Sequence, residues 1–115
     1  MPTLSKKQVG RAGERRAAAF LIAHEHSIMA TNMRIDRIGE IDILTCDRDG
    51  TIVVVEVKTR SNATFARPEV NITPNKLSTL RRLAQVICSR YPAQNVRVDV
   101  VTVGEKIEHF IDVLS

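Results

Sequence analysis

Residues 39–60 read Gly39-Glu40-Ile41-Asp42-Ile43-Leu44-Thr45-Cys46-Asp47-Arg48-Asp49-Gly50-Thr51-Ile52-Val53-Val54-Val55-Glu56-Val57-Lys58-Thr59-Arg60. Two β-rich runs, Glu40 to Cys46 and Thr51 to Lys58, flank Asp47-Arg48-Asp49-Gly50, and Asp-Gly between such runs predicts a hairpin. Pairing roughly symmetric about Asp49 sets Cys46 against Ile52, Leu44 against Val54 and Asp42 against Glu56. With a period of two, these share one side with Lys58, and Ile41, Ile43, Val53, Val55 and Val57 make the other side wholly aliphatic. A slip of one residue would turn Asp42 onto the oily side, where an unpaired carboxylate is very costly. The charges therefore support this register.

On the N-terminal side, Ala12, Ala17, Ala18, Phe20 and Leu21 give helical spacing to a segment from about Gln8 to His24. Gly10 and Gly13 lower its helix propensity and leave room for a close backbone or ligand, or simply fray its start. A short strand follows over Ser27 to Arg34, then a turn over Ile35 to Gly39. On the C-terminal side, Ser61 to Ile72 reads as a loop. Thr73 is placed as an N-cap with Pro74 at the first helical position. That helix runs to about Arg90 with Leu77, Leu80, Ala84 and Ile87 as its apolar stripe, and Tyr91-Pro92 closes it. Asn95 to Val103 alternates as a strand, Gly104-Glu105-Lys106 turns, and Ile107 to Val113 is the last strand. The order αβββαββ predicts an α/β fold, a sheet of four or five strands with helices packed on it. The 115 residues suit a single domain over 1–115.

Composition narrows the function classes. Phe20, Phe65, Phe110 and Tyr91 are the only aromatics, and Trp is absent. The core is thus aliphatic, and recognition of single strands by base stacking is disfavoured. Net charge is +4, from 17 basic and 13 acidic residues. Lys6, Lys7, Arg11, Arg15 and Arg16 form one basic set; Arg60, Arg67, Lys76, Arg81 and Arg82 form another. Such sets favour a polyanionic partner by counterion release and steering, although solubility alone also explains the sign. Cys46 and Cys88 make no disulfide framework and read as reduced thiols. The polar, basic N-terminus has no long apolar run after it, and no stretch reaches the length of a membrane span. The expectation is a cytoplasmic protein with no membrane association.

The chemistry concentrates in Asp42-X13-Glu56-Val57-Lys58. Two carboxylates on neighbouring strands, facing one way, suit a hard cation such as Mg²⁺ (or Mn²⁺), with the Val57 carbonyl as a further oxygen ligand. Lys58 beside them suits an electrostatic role toward water or phosphate better than proton abstraction, because nearby carboxylates hold its proton on. The competing reading is a partly buried ion cluster at the sheet edge. Glu14 borders the apolar stripe of the first helix and either reaches the site or pairs with Arg11 or Arg15. Glu40 shares the face of Asp42 at its rim. Lys76 stands in the first turn of the second helix, where a phosphate would offset its unfavourable position beside the helix dipole. His24, His26 and His109 are read as forming no site. Asp99, in Arg97-Val98-Asp99-Val100, is read as structural or as supporting the site from behind, with pairing to Arg97 only at a rim.

These residues carry a resemblance that covers nearly the whole chain. Gly13-Glu14 with Ala17 and Ala18, Asn32-X-Arg34, Gly39-Glu40-Ile41-Asp42, Val55-Glu56-Val57-Lys58-Thr59-Arg60, Lys76 and Arg97-Val98-Asp99-Val100 together resemble the YraN family of small bacterial proteins. That family is in turn similar to the PD-(D/E)XK nuclease and Holliday-junction-resolvase-like group. The resemblance implies a restriction-endonuclease-like core, a central mixed sheet flanked by helices. It implies metal at Asp42 and Glu56, catalytic assistance by Lys58, participation of Glu14 and a contribution from Lys76. It also implies a DNA partner, more than RNA, and a homodimer. Ile41 replaces the nominal proline of the motif, and Phe65-Ala66 stands where Phe-Gly is expected, which bears on the path of the following loop. The leading expectation is a metal-dependent endonuclease acting on DNA, branched or damaged. The alternative is a non-catalytic nucleic-acid-binding module or a nuclease subunit that needs a partner, and a third is a structural domain with an ion-pair network.

Overall fold

A computed structural model of the chain describes residues 6–59 and 72–114, with side chains from residue 10 onward. The elements are α1 (Lys6–Ala23), β1 (Ser27–Ile35), β2 (Gly39–Cys46), β3 (Ile52–Thr59), α2 (Pro74–Arg90), β4 (Val96–Val103) and β5 (Ile107–Phe110). The fold is the α/β arrangement the sequence predicts, in the order αβββαββ. The expected loop from Ser61, with Phe65-Ala66 and Arg67, falls outside the described residues apart from its end at Ile72, as does Arg60.

The five strands form one sheet in the order β1-β2-β3-β4-β5. All neighbours are antiparallel except β3 and β4, which run parallel. A parallel pair needs a crossover, and α2 lies within it. Leu80, Leu83 and Ile87 of α2 pack on Leu44, Ile52, Val54 and Val98 on one face of the sheet. Ala17 and Leu21 of α1 pack on Ile43, Val53, Val55, Val101 and Val103 on the other. The helices that carry Arg11, Arg15 and Arg16, and Arg81 and Arg82, therefore cover opposite faces of the sheet. Gly13 lets α1 come close, since a Cβ there would lie 3.2 Å from Thr59 Oγ1.

The hairpin register is the predicted one where it is paired, with Cys46 opposite Ile52 and Leu44 opposite Val54. Its turn depends on Asp47, whose Oδ1 accepts from the N–H groups of Asp49 and Thr51, both at 2.9 Å. Gly50 takes φ 86, a left-handed conformation open to glycine without a steric penalty. Thr73 caps α2 as expected: its Oγ1 accepts from Lys76 N–H at 3.1 Å, with Pro74 next. Thr73→Ala is expected to lower stability by about 1 kcal/mol, checked by chemical denaturation.

Two expectations need correction. Ile41 does not share the α1 side with Ile43; it packs with Leu44 and Leu80 on the α2 side. The cause is a rotation of β2 where its pairing with β3 ends, beyond Ile43–Val55. The last strand stops at Phe110 and does not reach Val113. Asp112 turns the chain with φ 59 and gives its N–H to Asp99 Oδ1 at 3.0 Å, and Val113 gives its N–H to the Val98 carbonyl at 2.9 Å, so the chain stays beside β4 without continuing the strand.

Candidate active site

The strands β2 and β3 separate just past Ile43 and Val55, and this separation builds the site. Asp42 stands on β2 at that point. Its Oδ2 accepts from the backbone N–H of Val57 on β3 at 2.8 Å, replacing the ladder bond that the diverging strand no longer supplies. Glu56, one residue earlier on β3, is close enough to couple to it. Burial pushes the Asp42 carboxyl up, the charge of Glu56 adds to this, and the proton is held to about pH 7 although the Val57 N–H and Lys76 oppose the shift. Thus the two acids that alternation assigns to one side do act on one another.

Lys76 reaches the same place from the first turn of α2, and its Nζ lies 3.0 Å from Glu56 Oε2. The Glu56 side chain is 11 % exposed and that of Lys76 42 %. The carboxylate offsets the cation at the positive end of the helix. A hollow of about 240 Å³ opens here, lined by Glu56, Lys58, Ile72, Thr73 and Lys76. Four of the expected site residues, Asp42, Glu56, Lys58 and Lys76, are therefore gathered where β2 and β3 part beside the start of α2.

Glu14 is placed differently. Its Oε2 accepts from Asn32 Nδ2 at 2.7 Å. The pair lines a second hollow, of about 490 Å³, with Gly10, Arg11 and Glu40. Among the described residues no three His, Cys, Asp or Glu side chains group closely enough to cage a metal ion. Glu14 is thus not joined with Asp42 and Glu56 in a three-carboxylate cluster. Asn32 was not singled out for any role by sequence reasoning, although its left-handed backbone suits an asparagine.

The rim position expected for Asp99 requires correction, and two of the histidines lie close to it. His26 and His109, far apart in sequence, bring their rings within 5.7 Å edge to face. His109 Nε2 lies 2.7 Å from Asp99 Oδ2. Asp99 is fully buried, and Arg97 meets both its oxygens from Nε at 2.9 Å and from an NH group at 3.2 Å. The other NH group of Arg97 donates to Asp47 Oδ2 at 2.8 Å, tying β4 to the hairpin turn. The network runs from the hairpin turn at Asp47 along β4, where Arg97 and Asp99 are level with Val53 and Val55 of β3. Sequence spacing gave no signal for it, because only the β4–β5 pairing brings residues 99 and 109 together.

Comparison with known proteins agrees with this architecture. A model of the uncharacterised protein family UPF0102 matches residues 13–103. The chain belongs to the UPF0102 family. Family proteins from Caldicellulosiruptor bescii and Leifsonia xyli subsp. xyli are 40 % and 45 % identical to it, over 87 % and 85 % of this chain and 85 % and 83 % of theirs. Among solved structures, a repair endonuclease from Pyrococcus abyssi superposes with a TM-score of 0.55 at 20 % identity, over 89 % of this chain. The EndoMS-dsDNA2 complex gives 0.53 at 20 % identity, over 85 % of this chain. The UPF0102 chain spans 40 % and 36 % of those two longer chains. At this identity the likeness is one of fold alone. No helix among the described residues is long and apolar enough to cross a membrane.

Proposed function

We propose that this UPF0102 protein is a Mg²⁺- or Mn²⁺-dependent endonuclease that hydrolyses DNA phosphodiester bonds, in branched or damaged DNA. The observation that carries the proposal is the gathering of Asp42, Glu56, Lys58 and Lys76 at the parting of β2 and β3, with Asp42 held by Val57 N–H and Glu56 by Lys76, in a fold shared with a repair endonuclease and with EndoMS.

The donor set fits a divalent cation. Asp42 and Glu56 are hard oxygen donors whose mutual repulsion a cation relieves, and Mg²⁺ needs only one or two carboxylates because it keeps several waters. Asp42 and Glu56 would hold it, with the Val57 carbonyl as a further donor. When bound, the ion supplies charge neutralisation at the phosphate and a lower pKa for an attacking water. The protein's own groups do the rest. The Val57 N–H fixes the orientation of Asp42, and Lys76 steadies Glu56. Lys58 and Lys76 present positive charge to the phosphate along the hollow they line, which stabilises charge that builds up as the bond breaks.

Asp42→Ala and Glu56→Ala are each expected to reduce cleavage of branched or mismatched DNA by about 100–1,000-fold, as losses of a site's charge-stabilising groups do. Circular dichroism and thermal unfolding check that the fold persists. Cleavage retained by well-folded variants sinks the assignment. The lack of a three-carboxylate group among the described residues favours a second reading, a nucleic-acid-binding module in which Glu56–Lys76 is an ion pair. That reading expects salt-sensitive, metal-independent DNA binding that survives loss of Asp42.

A further inference from the structure

Asn32 lies within β1 at φ 50, in the left-handed region. The other non-glycine residues with positive φ among those described, Glu25, Arg37 and Asp112, lie outside the strands. A left-handed residue inside a strand is sterically costly and persists where the surroundings hold it.

The packing shows what this conformation does. Ala30 and Met33 both join the cluster under α2, although strict alternation turns residues three apart to opposite faces. On β2, Ile41 and Leu44 do the same. Thr31 pairs with Ile43 and Met33 with Ile41, so Asn32 and Asp42 stand abreast between these two pairs. Both strands rotate at this level. The rotation sends the Asn32 side chain toward α1, where its amide donates to Glu14 Oε2 at 2.7 Å. The bond joins the edge strand to the helix at the strand level of Asp42. Gly10 leaves the adjoining hollow open, since a Cβ there would meet nothing within 4 Å.

We infer that Asn32 is a positioning residue, whose amide fixes the Glu14 carboxylate beside the strand level of Asp42 so that Glu14 orders water around a cation held by Asp42 and Glu56. The inference rests on the metal-site reading above. It separates Asn32 from a plain strand irregularity, for which glycine would serve equally well.

Asn32→Gly distinguishes the two, because glycine takes the left-handed conformation without penalty but offers no donor. Its thermal midpoint is expected to equal or exceed that of the wild type. Its Mg²⁺ affinity, measured by calorimetry with nucleic acid absent, is expected to fall about 10–100-fold, the usual effect of losing a group that orients a metal site. Glu14→Gln is expected to show a similar loss, and the double variant no more than the larger single loss, because the two residues act as one unit. Wild-type Mg²⁺ affinity in Asn32→Gly, or additive losses in the double variant, overturns the inference. Unchanged affinity in Glu14→Gln also overturns it, since nothing would be left to position. Absence of Mg²⁺ uptake by the wild type overturns it together with the metal site. Mg²⁺ uptake with the expected variant losses, but no cleavage of any DNA, supports the role of Asn32 and retires the nuclease reading alone.

Discussion

Asp99→Ala is expected to cost about 3–5 kcal/mol of folding stability, the range for removing one partner from a buried ion pair. Asp99 sits on β4 with no exposed surface. It receives Arg97 through two N–H groups, lies 2.7 Å from His109 Nε2, and accepts the Asp112 N–H. Burial alone would push its carboxyl up. The bonds from His109, Arg97 and Asp112 outweigh that and hold it below the ordinary range. Alanine leaves the guanidinium facing Asp47 alone, and leaves a ring nitrogen and a backbone N–H without their acceptor. The turn at Asp112 that ends β5 also loses its anchor. For a chain of this size the thermal midpoint should fall by roughly 10–25 °C. Urea unfolding of wild type and Asp99→Ala is the check, and a loss below about 1 kcal/mol refutes the account. A folded carboxyl held below its unfolded value contributes stability that is present above about 3.8 and is lost as pH falls below it. Asp47 is also held low, against the upward push of burial, by the Thr51, Arg97 and Asp49 N–H groups, and adds to that acid loss.

The central hairpin was legible because every signal in it is local. A period of two sorts its aliphatic side, Asp49-Gly50 sets its turn, and a carboxylate penalises the wrong register. The start of α2 was legible for the same reason, since a threonine before a proline caps a helix through bonds made within four residues. What the sequence hid depends on contacts distant along the chain. The face of Ile41 turns on where β2 leaves β3. The end of β5 turns on a bond from residue 112 to residue 99. The histidine near the first helix and the one on the last strand meet only because α1 and β5 border the same face. The candidate site divides along the same line. Asp42 with Glu56 follows from strand period, but Lys76 reaching Glu56, and Asn32 holding Glu14, are products of packing.

Asp42→Asn is expected to stabilise the metal-free protein above pH 7. The folded protein holds the Asp42 proton to about 7, and an unfolded chain releases it near the ordinary 3.8. Between these values the native state binds more protons than the unfolded state, so stability falls as pH rises. The contribution is fully present below about 3.8 and is gone above about 7. Its ceiling is ~4 kcal/mol, and screening at a partly exposed site reduces it to the order of 2 kcal/mol. His26 acts in the opposite sense. Burial and then His109 lower its pKa, so its contribution is present above 6.5 and is lost as pH falls. The wild-type curve mixes the two, and the difference between wild type and Asp42→Asn isolates Asp42. That difference, from urea unfolding between pH 4 and 8, should grow in favour of the variant with rising pH and level off above 7. Mg²⁺ that binds Asp42 and Glu56 stabilises the ionised pair, so in saturating Mg²⁺ the advantage of Asp42→Asn should disappear or reverse. A flat difference without metal refutes the coupling of the two carboxylates. A difference that rises with pH but ignores Mg²⁺ keeps the coupling and removes the metal from it, which is the result that would turn the site from a hydrolytic centre into a strained ion pair.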